Sequence, residues 1–241
     1  MDQYYIKDGY IENKINHTID TISGNNYWNQ KRIRTARYCQ AGVYRTAKEI
    51  VLERNISSVI DLGCGPAIKL SDIYKAYPKI SFAGVDQASA IEYCKENHLF
   101  GNWLVGDFDQ LDNILLSKLL VFPSPKLIIC SDVIEHLHDP DIILTFIKKI
   151  AKKSDTILLS TPERDNLRGK DAMASGNIHH IREWNFNELS KYISSNNFKI
   201  HQHYLQLPVP LTLNRLSLRE IYWRLIKLKP IMTNQVMVCS I

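Results

Sequence analysis

The amino-acid sequence predicts an α/β protein built on a doubly wound, mostly parallel sheet of seven strands. From residue 57 onward, short apolar runs alternate with segments of helical spacing, which favours right-handed crossovers and helices on both faces. The last two apolar runs are joined by an insert, residues 208–234, and no further crossover helix follows it. These two runs are therefore expected to form an antiparallel closing pair. A length of 241 residues suits one domain with elaborations.

Local signals place each element in order. Four helices are expected over KLSDIYKAY, SAIEYCKENH, DPDIILTFIKKIAKK and NFNELSKYISSNN. Pro78 ends the first, Asp139 caps the third with Pro140 at its first position, and Asn185 with Glu188 forms a capping box on the fourth. The strands are expected over SSVIDLG, ISFAGVD, NWLVGDF, KLIICSDV, DTILLSTP, FKIHQHYLQL and NQVMVCSI.

The chain is expected to divide at residue 50. Residues 1–50 form a mostly helical N-terminal lead, and residues 51–241 form the main domain with its insert at 208–234. The insert predicts an amphipathic helix, which we expect to pack on its own domain or on a partner subunit in preference to a membrane. Its apolar face carries Leu218, Ile221, Tyr222, Leu225 and Leu228. Together with the N-terminal lead, it is expected to cap the substrate.

Composition narrows the class of protein. The net charge of +5 is spread along the chain, whereas nucleic-acid binders concentrate such charge on one face, so a nucleic-acid partner is not expected. No apolar run is long enough for a membrane span, and the N-terminus does not resemble a secretory signal. Five scattered cysteines fit reduced thiols. We therefore expect a cytoplasmic protein with a small-molecule ligand, and the oligomeric state stays open.

The turn after the first strand reads VIDLGCG and predicts a ligand that approaches the backbone closely. Gly63 and Gly65 match the first two positions of a dinucleotide fingerprint, but Ile68 stands where the third glycine belongs. No phosphate-binding P-loop is present in the sequence either. Asp61 would repel a phosphate and attract an ammonium group, which favours a ligand with an amino-acid end.

The next two strands end in further polar groups. Asp86 follows the glycines by about 20 residues, where a carboxylate can accept from both ribose hydroxyls. Asp107 can accept from an adenine amino group, and Phe108 can cover the ring. These positions predict a nucleoside beside the amino-acid end.

Four stretches, VIDLGCGPA, GVDQ, GDFD and IICSDVIEHLHDP, resemble the successive motifs of class I S-adenosylmethionine-dependent methyltransferases. The resemblance covers residues 57–206 and the last strand, and it departs at Ala67, where the family often has glycine. It implies a Rossmann-like fold, methyl transfer and S-adenosylmethionine as cofactor. The implied cofactor site consists of Asp61, Gly63, Gly65, Asp86, Gln87, Asp107, Phe108 and Ser131.

The polar stretch after the fifth strand is expected to hold the substrate. It is similar to a TP…G…H-x-R-E-W pattern in methyltransferases of bacterial glycan and other small-molecule biosynthesis, and His180 matches the histidine of that pattern. His180 is therefore predicted as general base, with an orienting role as the alternative. The cationic side chains of this polar stretch suggest an anionic acceptor, such as a phosphorylated glycan precursor. The residues predicted to bind it are Arg164, Arg168, His179 and Arg182.

A second polar cluster follows the fourth strand. Asp132, Glu135, His136, His138 and Asp139 include oxygen ligands suited to a hard cation. We nevertheless expect no metal, and we expect Glu135 and His136 to line the substrate cleft.

These features predict a methyltransferase that acts on an oxygen of a small molecule, a sugar or an anionic glycan precursor. The alternatives are a nitrogen or nucleic-acid methyltransferase, and an inactive subunit that binds the cofactor without turnover.

Overall fold

One mixed sheet forms the centre of the molecule in the computed structural model, which describes residues 3–14, 28–210 and 215–241. Within these ranges the sheet has seven strands in the order β3-β2-β1-β4-β5-β7-β6. Strands β1 to β5 are parallel, and β7 runs antiparallel to both of its neighbours, as the sequence predicted. The bounds are β1 Ser58–Leu62, β2 Ser81–Asp86, β3 Asn102–Val105, β4 Lys126–Ser131, β5 Thr156–Pro162, β6 Lys199–Gln206 and β7 Asn234–Ser240.

Helices cover both faces of the sheet. The described residues form α1 Gln30–Ala36, α2 Ala41–Glu53, α3 Ile68–Ala76, α4 Ala88–Asn97, α5 Asn113–Leu120, α6 Pro140–Ile150, α7 Arg164–Arg168, α8 Phe186–Ser195 and α9 Arg215–Ile226. A 3-10 turn spans Ile134–His136. The helices α5 and α7 were not predicted. The run NILLSKLL has no clear apolar face, because Ile114 and Leu120 lie on its exposed side, and α7 has five residues.

Two buried clusters, one on each face of the sheet, form the core. Ile128 of β4 packs in the cluster under α5, α6 and α8, and Ile129 packs in the cluster under α2, α3 and α4. Successive strand residues point to opposite faces, so every residue of β4 is buried. This explains the unbroken apolar runs of the central strands.

The predicted helix caps are confirmed. The Asp139 side chain accepts from the backbone N–H of Asp141 at 3.0 Å, and Pro140 is the first residue of α6. Asn185 and Glu188 form the reciprocal capping box of α8. Trp184, just before this helix, is fully buried and stacks on Tyr192, so it anchors α8.

The N-terminal region joins the main domain more closely than a separate lead would. Helix α2 continues past residue 50 and buries Val43, Ala47 and Ile50 in the core against the sheet. Residues 3–14 are not helical and pack beside the long polar stretch after β5. The rest of the predicted helical lead, residues 15–27, lies outside the described residues.

The insert contains the predicted helix as α9. The expectation that its apolar face packs on the same domain is wrong for the side chains that are described, because Leu218, Tyr222 and Leu225 are each more than half exposed. Residues 211–214 lie outside the described part. Across the described ranges, no helix combines the length and apolarity that crossing a bilayer requires.

Candidate active site

A cavity of about 950 Å³ opens at the carboxyl ends of β1 to β4. The strand order reverses between β1 and β4, which is where open α/β sheets bind ligands. The turn after β1, the ends of β2 and β4 and the turn after β3 line it from the sheet side. Arg32, Thr35 and Cys39, on or just after α1, line the other side, whereas no described residue of the insert 208–234 does.

The glycine turn after β1 forms part of the cavity wall. Gly63 has φ +88°, and a Cβ atom there would collide with the side chain of Val133. Both facts require glycine at this position. Ala67, at the place where a third glycine was expected, has φ +51° and stays in the left-handed region, so alanine is accommodated at some conformational cost.

Asp61 is fully buried behind this turn. Its Oδ2 accepts from the Tyr44 hydroxyl at 2.7 Å, and Tyr44 lines the cavity while Asp61 does not. Its Oδ1 has no hydrogen-bond partner among the described residues. Burial raises the pKa of the Asp61 carboxyl to about 7. The site therefore contains a buried acceptor oxygen that fits an ammonium group, directly or through a water molecule.

Asp86 lies at the end of β2 and lines the cavity. Its two oxygens accept from the backbone N–H groups of Gly65 and Gln87 at 2.7 and 2.8 Å, which fixes the carboxylate. Burial raises its pKa to about 6. Gln87 also lines the cavity, and its buried Oε1 has no partner in the described part of the chain.

The remaining predicted cofactor residues are brought to the same cavity. Asp107 and Phe108 line it from the turn after β3, and Ser131 lines it from the end of β4. Asp107 accepts from the backbone N–H of Asp109 at 3.0 Å. Ser131 bonds to the hydroxyl of Ser160 at 2.8 Å. Of the eight residues expected from the resemblance, all except Asp61 contact the cavity directly.

His180 reaches the cavity from the loop between α7 and α8. Its Nδ1 lies 2.6 Å from Oε1 of Glu183. Burial would raise the pKa of Glu183, but hydrogen bonds from His180 and Arg168 and the Arg168 charge lower it to about 2. An ionised carboxylate only accepts, so Nδ1 of His180 carries a proton and Nε2 carries the lone pair of the neutral ring.

Glu135 and His136 lie beside His180 on the 3-10 turn after β4. The rings of His136 and His180 meet edge to face, with centroids 4.8 Å apart. Glu135 is fully buried, and Oε2 accepts from the Thr161 hydroxyl at 3.0 Å. Burial raises the pKa of Glu135 well above its usual range, and the nearby Asp132 charge raises it further.

The N-terminal segment 3–14 holds the His180 loop in place. Asn13 donates from its side chain to the carbonyl of His180 at 2.8 Å, and its backbone N–H donates to Ile181 at 3.0 Å. Glu12 accepts from Nε of Arg182 at 2.6 Å. The sequence analysis missed this function of the segment, because contacts across about 170 residues leave no local signal.

The three arginines predicted to bind an anionic acceptor lie outside the cavity lining formed by the described residues. Arg164 is 1% exposed and forms a bidentate pair with Glu188 at 2.6 and 2.9 Å. Arg168 forms a similar pair with Glu183. Arg182 is also 1% exposed. The prediction that these three arginines contact the acceptor therefore does not agree with their positions. His179, Glu135 and His136, which were also predicted to bind it, do line the cavity.

Gln40, Lys69 and Tyr44 are among the polar residues of the cavity lining that the sequence analysis did not assign to a ligand. Gln40 donates to Oδ2 of Asp132 at 2.7 Å, and Lys69 donates to the carbonyl of Cys39 at 3.0 Å. Tyr44 is the partner of Asp61. Gln40 and Tyr44 lie in the N-terminal region without a motif, so nothing in their local sequence points to the site.

The model of a family described as a methyltransferase domain matches residues 27–203. No curated protein sequence gives a significant match.

Solved structures with a similar fold include several methyltransferases and the [4+2]-cyclase SpnF. A complex between the Haloferax volcanii Trm112 methyltransferase activator and a methyltransferase matches with a TM-score of 0.65 at 14% identity, over 90% of this chain and 96% of that chain. The plantazolicin methyltransferase BpumL with SAH has a TM-score of 0.56 at 13% identity, over 82% of each chain. The methyltransferase domain of bacterial CtHen1-C has a TM-score of 0.55 at 18% identity, over 82% of this chain and 96% of that chain.

The family model spans well over half of the sequence, and the glycine turn, the buried acids and the cavity fit the cofactor implied by the sequence motifs. The chain therefore belongs to the methyltransferase-domain family and is an S-adenosylmethionine-dependent methyltransferase.

Proposed function

We propose that this enzyme methylates an oxygen of a neutral, hydroxyl-bearing small molecule of the sugar class. The observation that carries the proposal is the His180–Glu183 pair at the wall of the cavity that also contains the cofactor residues. S-adenosylmethionine supplies an electrophilic methyl group. The residues of the chain must then hold the acceptor oxygen against it and remove the proton of that oxygen.

The cofactor is proposed to lie along the ends of β1, β2 and β3. Gly63 and Gly65 leave room for the methionine part, and the Oδ1 of Asp61 that has no partner among the described residues attracts its ammonium group. Asp86 accepts from the ribose hydroxyls. The adenine fits near Asp107 and Phe108, while Gln87 and Ser131 complete the wall.

His180 is proposed to act on the acceptor. Its protonated Nδ1 is held by Glu183, so the lone pair on Nε2 can accept the proton of an acceptor hydroxyl. The ionised Glu183 would stabilise the imidazolium that this transfer creates, in the manner of other histidine–carboxylate pairs.

A neutral acceptor fits the charges around the cavity better than an anionic one. Among the described residues that line it, two are cations, Arg32 and Lys69, and five are acids, namely Asp86, Asp107, Asp109, Asp132 and Glu135. The three arginines proposed earlier to balance an anion are engaged by carboxylates of the protein. We therefore favour a neutral sugar over a phosphorylated precursor. The five free cysteines support a reducing, cytoplasmic location.

The proposal is tested by measuring formation of S-adenosylhomocysteine with a panel of sugars, phosphorylated sugars, amines and oligonucleotides. Turnover is expected with neutral hydroxyl acceptors. His180→Ala should lower the rate by ~10²–10⁴ because proton removal contributes about that much, with cofactor affinity unchanged. His201→Ala is the matched control, since this exposed histidine of β6 lies outside the cavity lining formed by the described residues.

Two outcomes would reject the proposal. Methylation restricted to an amine or a nucleic acid would show that the acceptor is not a hydroxyl-bearing small molecule. Cofactor binding without turnover on any acceptor would indicate the inactive subunit instead.

A further inference from the structure

We propose that Glu135, His136 and His180 bind one divalent first-row transition cation, such as Mn²⁺, Fe²⁺, Co²⁺ or Zn²⁺, at the wall of the cavity. This proposal replaces the expectation from the sequence that no metal is used. It rests on the proposed function only in that the acceptor is a hydroxyl, and with the cation bound His180 would be a ligand and not the general base. The site itself follows from the geometry of the three side chains.

The three side chains converge although they come from two parts of the chain. Glu135 and His136 lie on the 3-10 turn after β4, and His180 lies on the loop that precedes α8. One ligand atom of each lies within 4.8 Å of the others. Oε1 of Glu135 is 4.0 Å from Nε2 of His136. Ligand bonds of about 2.1 Å place the ligand atoms of a tetrahedral site about 3.4 Å apart, so side-chain shifts of about 1 Å close the site.

Both histidines are held in the tautomer that metal binding needs. Nδ1 of His136 lies 2.6 Å from the carbonyl of His179, and a carbonyl only accepts, so this nitrogen must carry the proton. Nδ1 of His180 donates to the ionised Glu183. In each neutral ring the lone pair is therefore on Nε2. A backbone carbonyl or carboxylate on the other ring nitrogen is the arrangement found around metal-bound histidines.

The buried carboxyl group of Glu135 is evidence for a cation that is independent of the distances between the three side chains. Its side chain is 0% exposed, yet Oε1 has no hydrogen-bond partner within the described ranges, while Oε2 accepts from Thr161. A buried polar atom without a partner is costly. A cation between Oε1 and the two imidazoles gives this oxygen a partner.

The donor set selects the class of cation. Two imidazole nitrogens and one carboxylate suit first-row transition metals, whereas Mg²⁺ and Ca²⁺ prefer oxygen ligands alone. Both oxygens of nearby Asp132 already accept, from Ser160 at 2.7 Å and from Gln40 at 2.7 Å, so Asp132 is not counted as a ligand.

Three protein ligands leave coordination positions open toward the cavity. An acceptor with two adjacent oxygens, such as a vicinal diol, could fill them and be held with one oxygen ready for methylation. The lone pair of His180 would then bind the metal instead of accepting the proton. A bound cation lowers the pKa of a hydroxyl that it holds, so the acceptor can lose its proton to water in the cavity.

The test uses the full chain without an affinity tag, stripped with a chelator. Co²⁺ is titrated into the protein and followed by calorimetry and by its visible absorption bands, and Mg²⁺ is titrated in parallel. We expect one Co²⁺ per chain, with Mg²⁺ at least 100-fold weaker. Glu135→Gln and His136→Asn should each weaken Co²⁺ binding at least tenfold, and His201→Ala, at an exposed histidine of β6, should leave it unchanged.

Affinity for S-adenosylhomocysteine serves as the folding control, because none of these substitutions should alter it. The proposal is overturned if the stripped protein binds no Co²⁺, or if the two ligand variants bind it as tightly as the parent chain. Methyl transfer that persists in the chelator would reject the metal while leaving the methyltransferase function intact. Tight Co²⁺ binding without turnover on any hydroxyl acceptor would support the site and reject the proposed acceptor.

Discussion

Asp86 is the residue on which cofactor affinity is expected to depend most. Its carboxylate is fixed by the backbone N–H groups of Gly65 and Gln87 and lines the cavity. Hydrogen bonds to a charged acceptor contribute about 1.5–3 kcal/mol each. Asp86→Ala should therefore weaken binding of S-adenosylhomocysteine at least tenfold in calorimetry. Asp72→Ala, an exposed acid on α3, is the control; an unchanged affinity for Asp86→Ala would remove this residue from the site.

Asp61 should make cofactor binding depend on pH. Because its pKa is raised to about 7, the carboxylate form that attracts an ammonium group is lost as pH falls below 7. Affinity for S-adenosylhomocysteine should decrease by up to about tenfold for each pH unit below that point. Calorimetry between pH 8 and pH 6 measures this slope.

Asp61→Asn is the matched variant, since an amide oxygen can still accept from Tyr44. It should bind more weakly at pH 8 and show a flatter profile down to about pH 6.5, below which Asp86 also takes up a proton. An equally steep profile in this variant would show that another group is responsible.

Helices α7 and α8 are joined by a buried ion pair, and this pair is expected to support stability. Arg164 is 1% exposed and bidentate to Glu188, and removal of one partner of such a pair costs about 3–5 kcal/mol. Arg164→Met should lower the free energy of unfolding in urea by about that amount and leave the KM for the acceptor unchanged.

Lys75→Ala removes an exposed ion pair on α3 and serves as the comparison, with an expected effect of about 0–1 kcal/mol. If Arg164→Met kept its stability and raised the KM of the acceptor, this arginine would contact the acceptor after all.

Elements with local signals were predictable from the sequence, whereas contacts between distant segments were not. The glycine turn, the caps of α6 and α8 and the acid at the end of β2 depend on neighbouring residues, and the structure places them as expected. The partners of Arg164 and Arg168 lie on the following loop and helix. A cationic stretch has the same sequence pattern whether its side chains contact a ligand or carboxylates of the protein. Which of the two they contact depends on the fold.

At the scale of the whole molecule, α9 has apolar side chains that the described part of the chain leaves exposed. Leu225 is 58% exposed, so Leu225→Glu should change the free energy of unfolding by no more than about 0.5 kcal/mol. Leu144→Ala, in the fully buried face of α6, should cost about 2–5 kcal/mol.

Sedimentation velocity of Leu225→Glu tests the expectation that the apolar face of α9 packs on a partner subunit. If the parent chain self-associates through α9, the variant should sediment as a smaller species. A large loss of stability in the monomer would contradict the exposure of Leu225.

The order of strands in the sheet also governs when the protein can fold. Strand β7 follows β6 in the sequence but lies between β5 and β6, so β6 has no place in the sheet until β7 has been synthesised. On the ribosome, the parallel half from β3 to β5 can assemble first, while β6 waits with its backbone groups unpaired. Such long-range pairing slows folding. The closing hairpin therefore joins late, and a nascent chain halted before β7 would expose the edge of β5 to other chains.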